Sequence, residues 1–216
     1  MIITKNSISF LIRQPKTPNN TKLIIFLHGY GSNEEDLFSF ADEMPDNFLV
    51  LSLRAIRNCP YGNYAWYDIN FINAEKFTDT EQAKESVLKI RNFIDEIKNE
   101  YSFDEQDIWL CGFSQGGILS YALAIQYPEI FKKAICLSAY PEKNIIQDIE
   151  NNDYTQSKFF ISHGKEDAVI PIEWARNAES IMKENRIDYF YKEYNSGHGI
   201  NADNYRDLML WIAKSN

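Results

Sequence analysis

A chain of 216 residues with 44 % hydrophobic side chains is long enough for one full-sized core, and it reads as a single domain over residues 1–216. Its 31 acidic against 22 basic residues give a net charge of -9, which repels a phosphate backbone and argues against nucleic acid as a partner. The three cysteines, Cys59, Cys111 and Cys136, are odd in number and lack C-x-x-C spacing, which argues against a disulfide framework and a structural zinc site.

Met1 to Pro15 has neither the basic start nor the apolar run of a secretory signal, and no apolar stretch reaches membrane-spanning length. A cytoplasmic protein without stable membrane insertion is the expectation. Ser7–Arg13 alternates polar and apolar residues and reads as an edge strand. Lys22–His28 is continuously aliphatic, as in a strand buried on both faces, and is followed by His28-Gly29-Tyr30-Gly31-Ser32. Two capping boxes, Ser32 with Glu35 and Thr78 with Glu81, mark helix starts on either side of the strand Phe48–Leu53. After the second, Ala83, Val87, Ile90, Ile94 and Ile97 recur at helical spacing and form the inward face of an amphipathic helix. Strand Asp107–Cys111 leads into Gln115–Tyr127, a helix apolar nearly all round and ended by Pro128. Strands Lys133–Ser138, Lys158–His163 and Asp188–Tyr194 follow, with helical faces marked by Trp174, Ala178 and Ile181, and by Tyr205, Leu208 and Ile212. Strands alternating with helices imply an α/β fold: a mainly parallel central sheet with helices on both faces and its site at the carboxyl ends of the strands.

The chemistry sits in the loops that follow those strands. Gly112-Phe113-Ser114-Gln115-Gly116 joins a strand to the most apolar helix and is a G-x-S-x-G nucleophile elbow. The glycines let a sharp turn fit between strand and helix, and the turn lifts the Ser114 hydroxyl clear of the sheet. A serine hydroxyl needs a base, and the chain has three histidines. His28 and His163 end central strands, whereas His198 lies in the loop Ser196-Gly197-His198-Gly199 after the last strand, where an α/β-hydrolase places its base. The acid belongs after the preceding strand, where Asp167 fits better than its neighbour Glu166 because an apolar run follows it. The amides of Gln115 and Tyr30 are the expected oxyanion donors, and His28 is expected to brace its loop through its ring nitrogens. A dinucleotide reading of Gly29-x-Gly31 fails because Glu34 occupies the third glycine position.

Five segments together carry a wider resemblance: IIFLHGYGS (24–32), AWYDI (65–69), GFSQGG (112–117), HGKEDAVIP (163–171) and SGHGI (196–200). Over nearly its whole length the chain resembles the carboxylesterase, phospholipase and acyl-protein thioesterase family of small, lidless α/β-hydrolases. The resemblance implies Ser114, Asp167 and His198 as a triad and the amides of Tyr30 and Gln115 as the oxyanion hole, in agreement with the residue-level reading. Tyr30 stands where the family commonly has leucine, and Tyr67 where it usually has phenylalanine.

Residues 139–157 are too few for an inserted helical cap, so the site is expected to be open, walled by Trp66, Phe71 and Ile72 and by Val169 and Ile170. The expected reaction is hydrolysis of a small-molecule carboxylic ester through an acyl-enzyme on Ser114, with no metal or cofactor. A thioester or a lysophospholipid fits the same machinery; an acyltransferase, or a binding module without turnover, is a further alternative. The aromatic loop also suits a homodimer.

Overall fold

Eight strands assemble into one sheet in the computed structural model, which describes residues 2–5, 8–60, 62–70, 72, 78–147 and 152–216. In chain order the elements are β1 (Ile3–Lys5), β2 (Ile8–Arg13), β3 (Lys22–Leu27), a 3-10 helix (Leu37–Glu43), β4 (Phe48–Leu53), β5 (Arg57–Asn58), β6 (Tyr64–Ala65), α1 (Thr80–Ile97), β7 (Ile108–Phe113), α2 (Gln115–Gln126), β8 (Phe131–Leu137), β9 (Lys158–Gly164), α3 (Ile172–Glu184), β10 (Asp188–Tyr194) and α4 (Ala202–Ser215). The strand order is β1-β2-β4-β3-β7-β8-β9-β10. The β1/β2 and β2/β4 pairs are antiparallel and the other pairs in this sheet parallel. β5 and β6 form a separate short hairpin.

Successive side chains of a strand point to opposite faces, and here both faces are apolar. Leu23, Ile25 and Leu27 of β3 join the core under α1, α2 and α3, while Ile24 and Phe26 join the core under the 3-10 helix and α4. The continuous aliphatic run is therefore required by burial on both sides. α2 is buried from Gln115 to Ile125, which explains a helix with no polar face. The segments joining β8 to β9 carry no helix within residues 139–147 and 152–157. No helix among the described residues is long and apolar enough to cross a membrane.

Three local features differ from the sequence-based expectation. β2 is not an edge strand, because β1 pairs outside it with Ile3 opposite Phe10. The Ser32/Glu35 capping box does not form: Asn33 Oδ1 accepts the Glu35 amide at 2.9 Å, and the Ser32 hydroxyl donates to Asp36. The 3-10 helix begins later, at Leu37, because this local Asx turn satisfies the backbone first. At the start of α1 the cap is Asp79, which accepts the Gln82 amide at 3.1 Å, while Thr78 is turned to the Tyr140 hydroxyl at 3.1 Å. An aspartate at this end also interacts favourably with the helix dipole.

Candidate active site

Ser114 has φ 53° and ψ -116°, a conformation that costs a non-glycine residue roughly 1–3 kcal/mol. Packing holds it there. The Ser114 amide donates to Leu137 O at 2.8 Å, and its carbonyl accepts the Ile118 amide at 3.0 Å, so the turn is bonded to both β8 and α2. A Cβ on Gly112 would lie 2.1 Å from Gly116 O, and one on Gly116 would lie 1.9 Å from Leu27 O. Both glycines are thus fixed by close backbone approach, which lets α2 start against the end of β3.

His198 Nε2 lies 2.9 Å from Ser114 Oγ, and His198 Nδ1 lies 2.7 Å from Asp167 Oδ2. A carboxylate only accepts, so Nδ1 carries a proton and Nε2 is the nitrogen that faces the serine. Asp167 has a fully buried side chain, and its second oxygen accepts the amides of Val169 and Ile170, each at 2.9 Å. Burial alone would raise this carboxyl, but the bonds from His198, Ile170 and Val169 outweigh it and hold the group below its ordinary range. Glu166, the rival acid, is exposed. The loops of Asp167 and His198 meet because Gly164 has no side chain: a Cβ there would fall 2.2 Å from Gly197 O.

The other two histidines are buried, and burial lowers the pKa of each, which favours the neutral ring. His28 Nε2 accepts the Ala55 amide at 3.0 Å, so Nδ1 is the protonated nitrogen and donates to Gly29 O at 2.7 Å. This is the bracing expected of it. His163 Nε2 donates to Ile170 O at 2.9 Å and lies 3.3 Å from Asp167 Oδ2, which steadies the acid loop from behind.

The loop after β3 lies against Ser114: a Cβ on Gly29 would sit 3.4 Å from Ser114 Cβ. Gly31, at φ 73°, donates its amide to Tyr64 O at 2.9 Å, and the Tyr64 amide returns a bond to Ser32 O at 2.9 Å. The β5–β6 hairpin thereby holds the segment that contains Tyr30. Gln115, whose amide was singled out, is also tied by its side chain: Oε1 accepts the Trp66 amide and Nε2 donates to Tyr67 O, both at 2.7 Å. Composition and spacing gave no signal for that role, nor for Phe113, whose ring packs 5.1 Å from the His198 ring.

Two side chains expected to wall the pocket are interior instead. Trp66 is fully buried, with its indole N–H donating to His28 O at 3.0 Å. Ile170 is 1 % exposed, because its backbone is committed to Asp167 and His163 and its side chain to the core. Among the described residues of these loops, the large apolar side chains of Val169 and Ile72 are exposed. Phe71 lies outside the described residues. Among the described residues no three His, Cys, Asp or Glu side chains converge as metal ligands would.

A mostly parallel sheet, a strained serine between strand and helix, and histidine and aspartate on the loops after β10 and β9 define an α/β-hydrolase. The chain belongs to the phospholipase/carboxylesterase family, whose model matches residues 9–216. It is thus an enzyme of the ester-hydrolase class. Acyl-protein thioesterase 1 of Kluyveromyces lactis is 27 % identical over 157 residues, covering 70 % of this chain and 68 % of that protein. A probable carboxylesterase, SOBER1-like, of Arabidopsis thaliana is 26 % identical over 88 % of this chain and 77 % of its own length. In fold the chain is similar to a Bacillus cereus carboxylesterase, with a TM-score of 0.83 and 20 % identity over 98 % of this chain and 96 % of that one.

Proposed function

We propose that the chain is a serine carboxylesterase that cleaves small carboxylic esters through an acyl-enzyme on Ser114. The observation that carries this reading is the unbroken relay from Asp167 through His198 to Ser114, with contacts of 2.7 and 2.9 Å, on an elbow held at φ 53°. His198 Nε2 takes the Ser114 proton as Oγ bonds to the ester carbon, and the carbonyl electron pair moves onto oxygen. The amides of Tyr30 and Gln115 receive that oxyanion. Collapse expels the alcohol, protonated by His198, and leaves the acyl-serine. Water, deprotonated by His198, repeats the sequence and releases the carboxylic acid. Asp167 keeps the imidazole in the tautomer that presents Nε2 to the serine and stabilises the imidazolium.

The test is hydrolysis of p-nitrophenyl esters of increasing acyl length by wild type and folded Ser114→Ala. Turnover lost in the variant, with a fluorophosphonate probe labelling Ser114 in the wild type, is the expected outcome. Wild type that neither turns over nor labels at Ser114 would overturn the assignment. A second reading changes only the leaving group, and the thioesterase name of a 27 % identical relative favours testing it. Oxygen esters and thioesters of one acyl group, compared by kcat/KM, separate the two.

A further inference from the structure

Beside the nucleophile lies a buried cluster that the acyl-transfer cycle does not use directly: His28, Trp66 and Tyr67 are 0 % exposed and the Gln115 side chain is buried among them. The inference rests on the reading above, in which Tyr30 and Gln115 supply the oxyanion amides. Those donors come from separate parts of the chain, the loop after β3 and the start of α2, so something must fix the distance and angle between them. We propose that Trp66 is the positioning residue for the oxyanion hole, tied to the Gln115 side chain through its backbone amide and to the His28 carbonyl through its indole N–H.

In a planar trans peptide the C=O and the following N–H point in opposite directions, so fixing one aims the other. The Gly29 carbonyl shares its plane with the Tyr30 amide, and His28 Nδ1 holds that carbonyl at 2.7 Å. The His28 carbonyl shares the preceding plane with the Gly29 amide, and the Trp66 indole holds it at 3.0 Å. Both planes leading to the Tyr30 amide are therefore clamped by side chains. On the other wall Gln115 joins residues 66–67 as a neighbouring strand would, accepting from the Trp66 amide and donating to Tyr67 O. One residue thus connects both donors, away from water, where hydrogen bonds resist exchange. Its outer anchor is separate: the Ser86 hydroxyl on α1 donates to Trp66 O at 2.6 Å. Loss of the indole N–H leaves that anchor and removes only the link to His28.

Trp66→Phe keeps an aromatic ring and deletes the N–H. With a neutral p-nitrophenyl ester, kcat is expected to fall roughly 10- to 100-fold while KM stays within about twofold, since the oxyanion exists only in and after the transition state. Affinity for a trifluoromethyl ketone, which adds the Ser114 oxygen to form a tetrahedral oxyanion, is expected to fall by the same factor as kcat/KM. Asp79→Ala, which removes the α1 cap, is the control: a lower Tm with kcat retained. Should Trp66→Phe not fold, Gln115→Met, which is length-matched and cuts the other tie, is expected to give the same kcat loss. Folded Trp66→Phe or Gln115→Met at wild-type kcat, or a raised KM with kcat retained as a substrate wall would give, overturns the positioning role. In either case wild-type turnover through Ser114 keeps the esterase reading standing, whereas a wild type that neither turns over nor binds the ketone through Ser114 overturns that reading and this one together.

Discussion

Asp167 is a buried carboxylate that remains ionised because each of its oxygens has a donor: His198 on one, the Val169 and Ile170 amides on the other. Asp167→Asn keeps the size but offers an N–H or a neutral oxygen to His198 Nδ1, so the ring can turn its protonated nitrogen toward Ser114. The expected result is a loss of about 10³- to 10⁴-fold in kcat with KM little changed, read by steady-state kinetics on a folded variant. Glu34 makes a different kind of charge contact. It is 2 % exposed and bonded to Arg54 Nε at 2.7 Å, and that bond, opposed by burial, holds its carboxyl below the ordinary value. A depressed folded-state pKa contributes stability that is fully present above the unfolded value, about 4.5, and is lost as pH falls through the folded value. Glu34→Gln is therefore expected to cost about 1–3 kcal/mol at neutral pH and to flatten the acid limb of the stability curve below about pH 4.5, measured by denaturant titration. An unchanged acid limb would show that the Arg54 pair does not act this way. At this scale Ser114, Asp167 and His198 were legible as neighbours because acyl transfer restricts the residue types and the loops that carry them. Trp66 and Ile170 were not legible as interior residues: an apolar side chain in a loop reads the same whether it faces the substrate or, as here, the core beneath the loop.

The elements that deliver those side chains depend on backbones that nearly touch. Gly116→Ala puts a methyl group 1.9 Å from Leu27 O, a contact that only separation of α2 from β3 relieves, whereas nothing lies within 4 Å of a Cβ on Gly199. Gly116→Ala is expected to cost at least about 3 kcal/mol or prevent folding, and Gly199→Ala to stay within about 0.5 kcal/mol, both read by chemical denaturation. Equal stabilities would mean that α2 can shift freely on the sheet. Helix ends offer a finer contrast. Asp79→Ala removes the α1 cap and is expected to cost about 1 kcal/mol, while Glu81→Ala, at the position where a capping box would need it, is expected to cost less than about 0.5 kcal/mol. Periodicity located α1 and α2 because burial on one face or on all faces dictates composition. It could not decide between Thr78 and Asp79, adjacent residues that both make good caps, since the choice turns on Tyr140, distant in sequence. The edge strand β1 was missed for a related reason: three residues paired along one side only carry no alternation long enough to read.

Across the whole molecule the net charge of -9 acts at distances where no single contact matters. The site opens at the carboxyl ends of the strands, and among the described residues the loops there carry exposed Glu35, Asp36, Asp68 and Glu166, with Glu173 at the start of α3, against exposed Lys143 and Lys165. An anionic ester approaching that end is repelled both by these side chains and by the remainder of the chain; a neutral ester is not. Salt separates the two contributions to specificity, because the screening length falls from about 30 Å at 0.01 M to about 8 Å at 0.15 M while the shape of the pocket stays the same. For three esters that share one acyl group and differ only in leaving-group charge, kcat/KM is expected to rise severalfold with salt for the anion, stay flat for the neutral ester and fall for the cation. Stopped-flow acylation under single-turnover conditions reads each rate. A flat response from the anion would mean that the acidic loops do not reach the approach path, and that discrimination among charged esters rests on contacts made after the substrate has docked. A rise would mean that the charge balance of the chain selects against anionic acyl donors, lipid phosphates included, before Ser114 is reached.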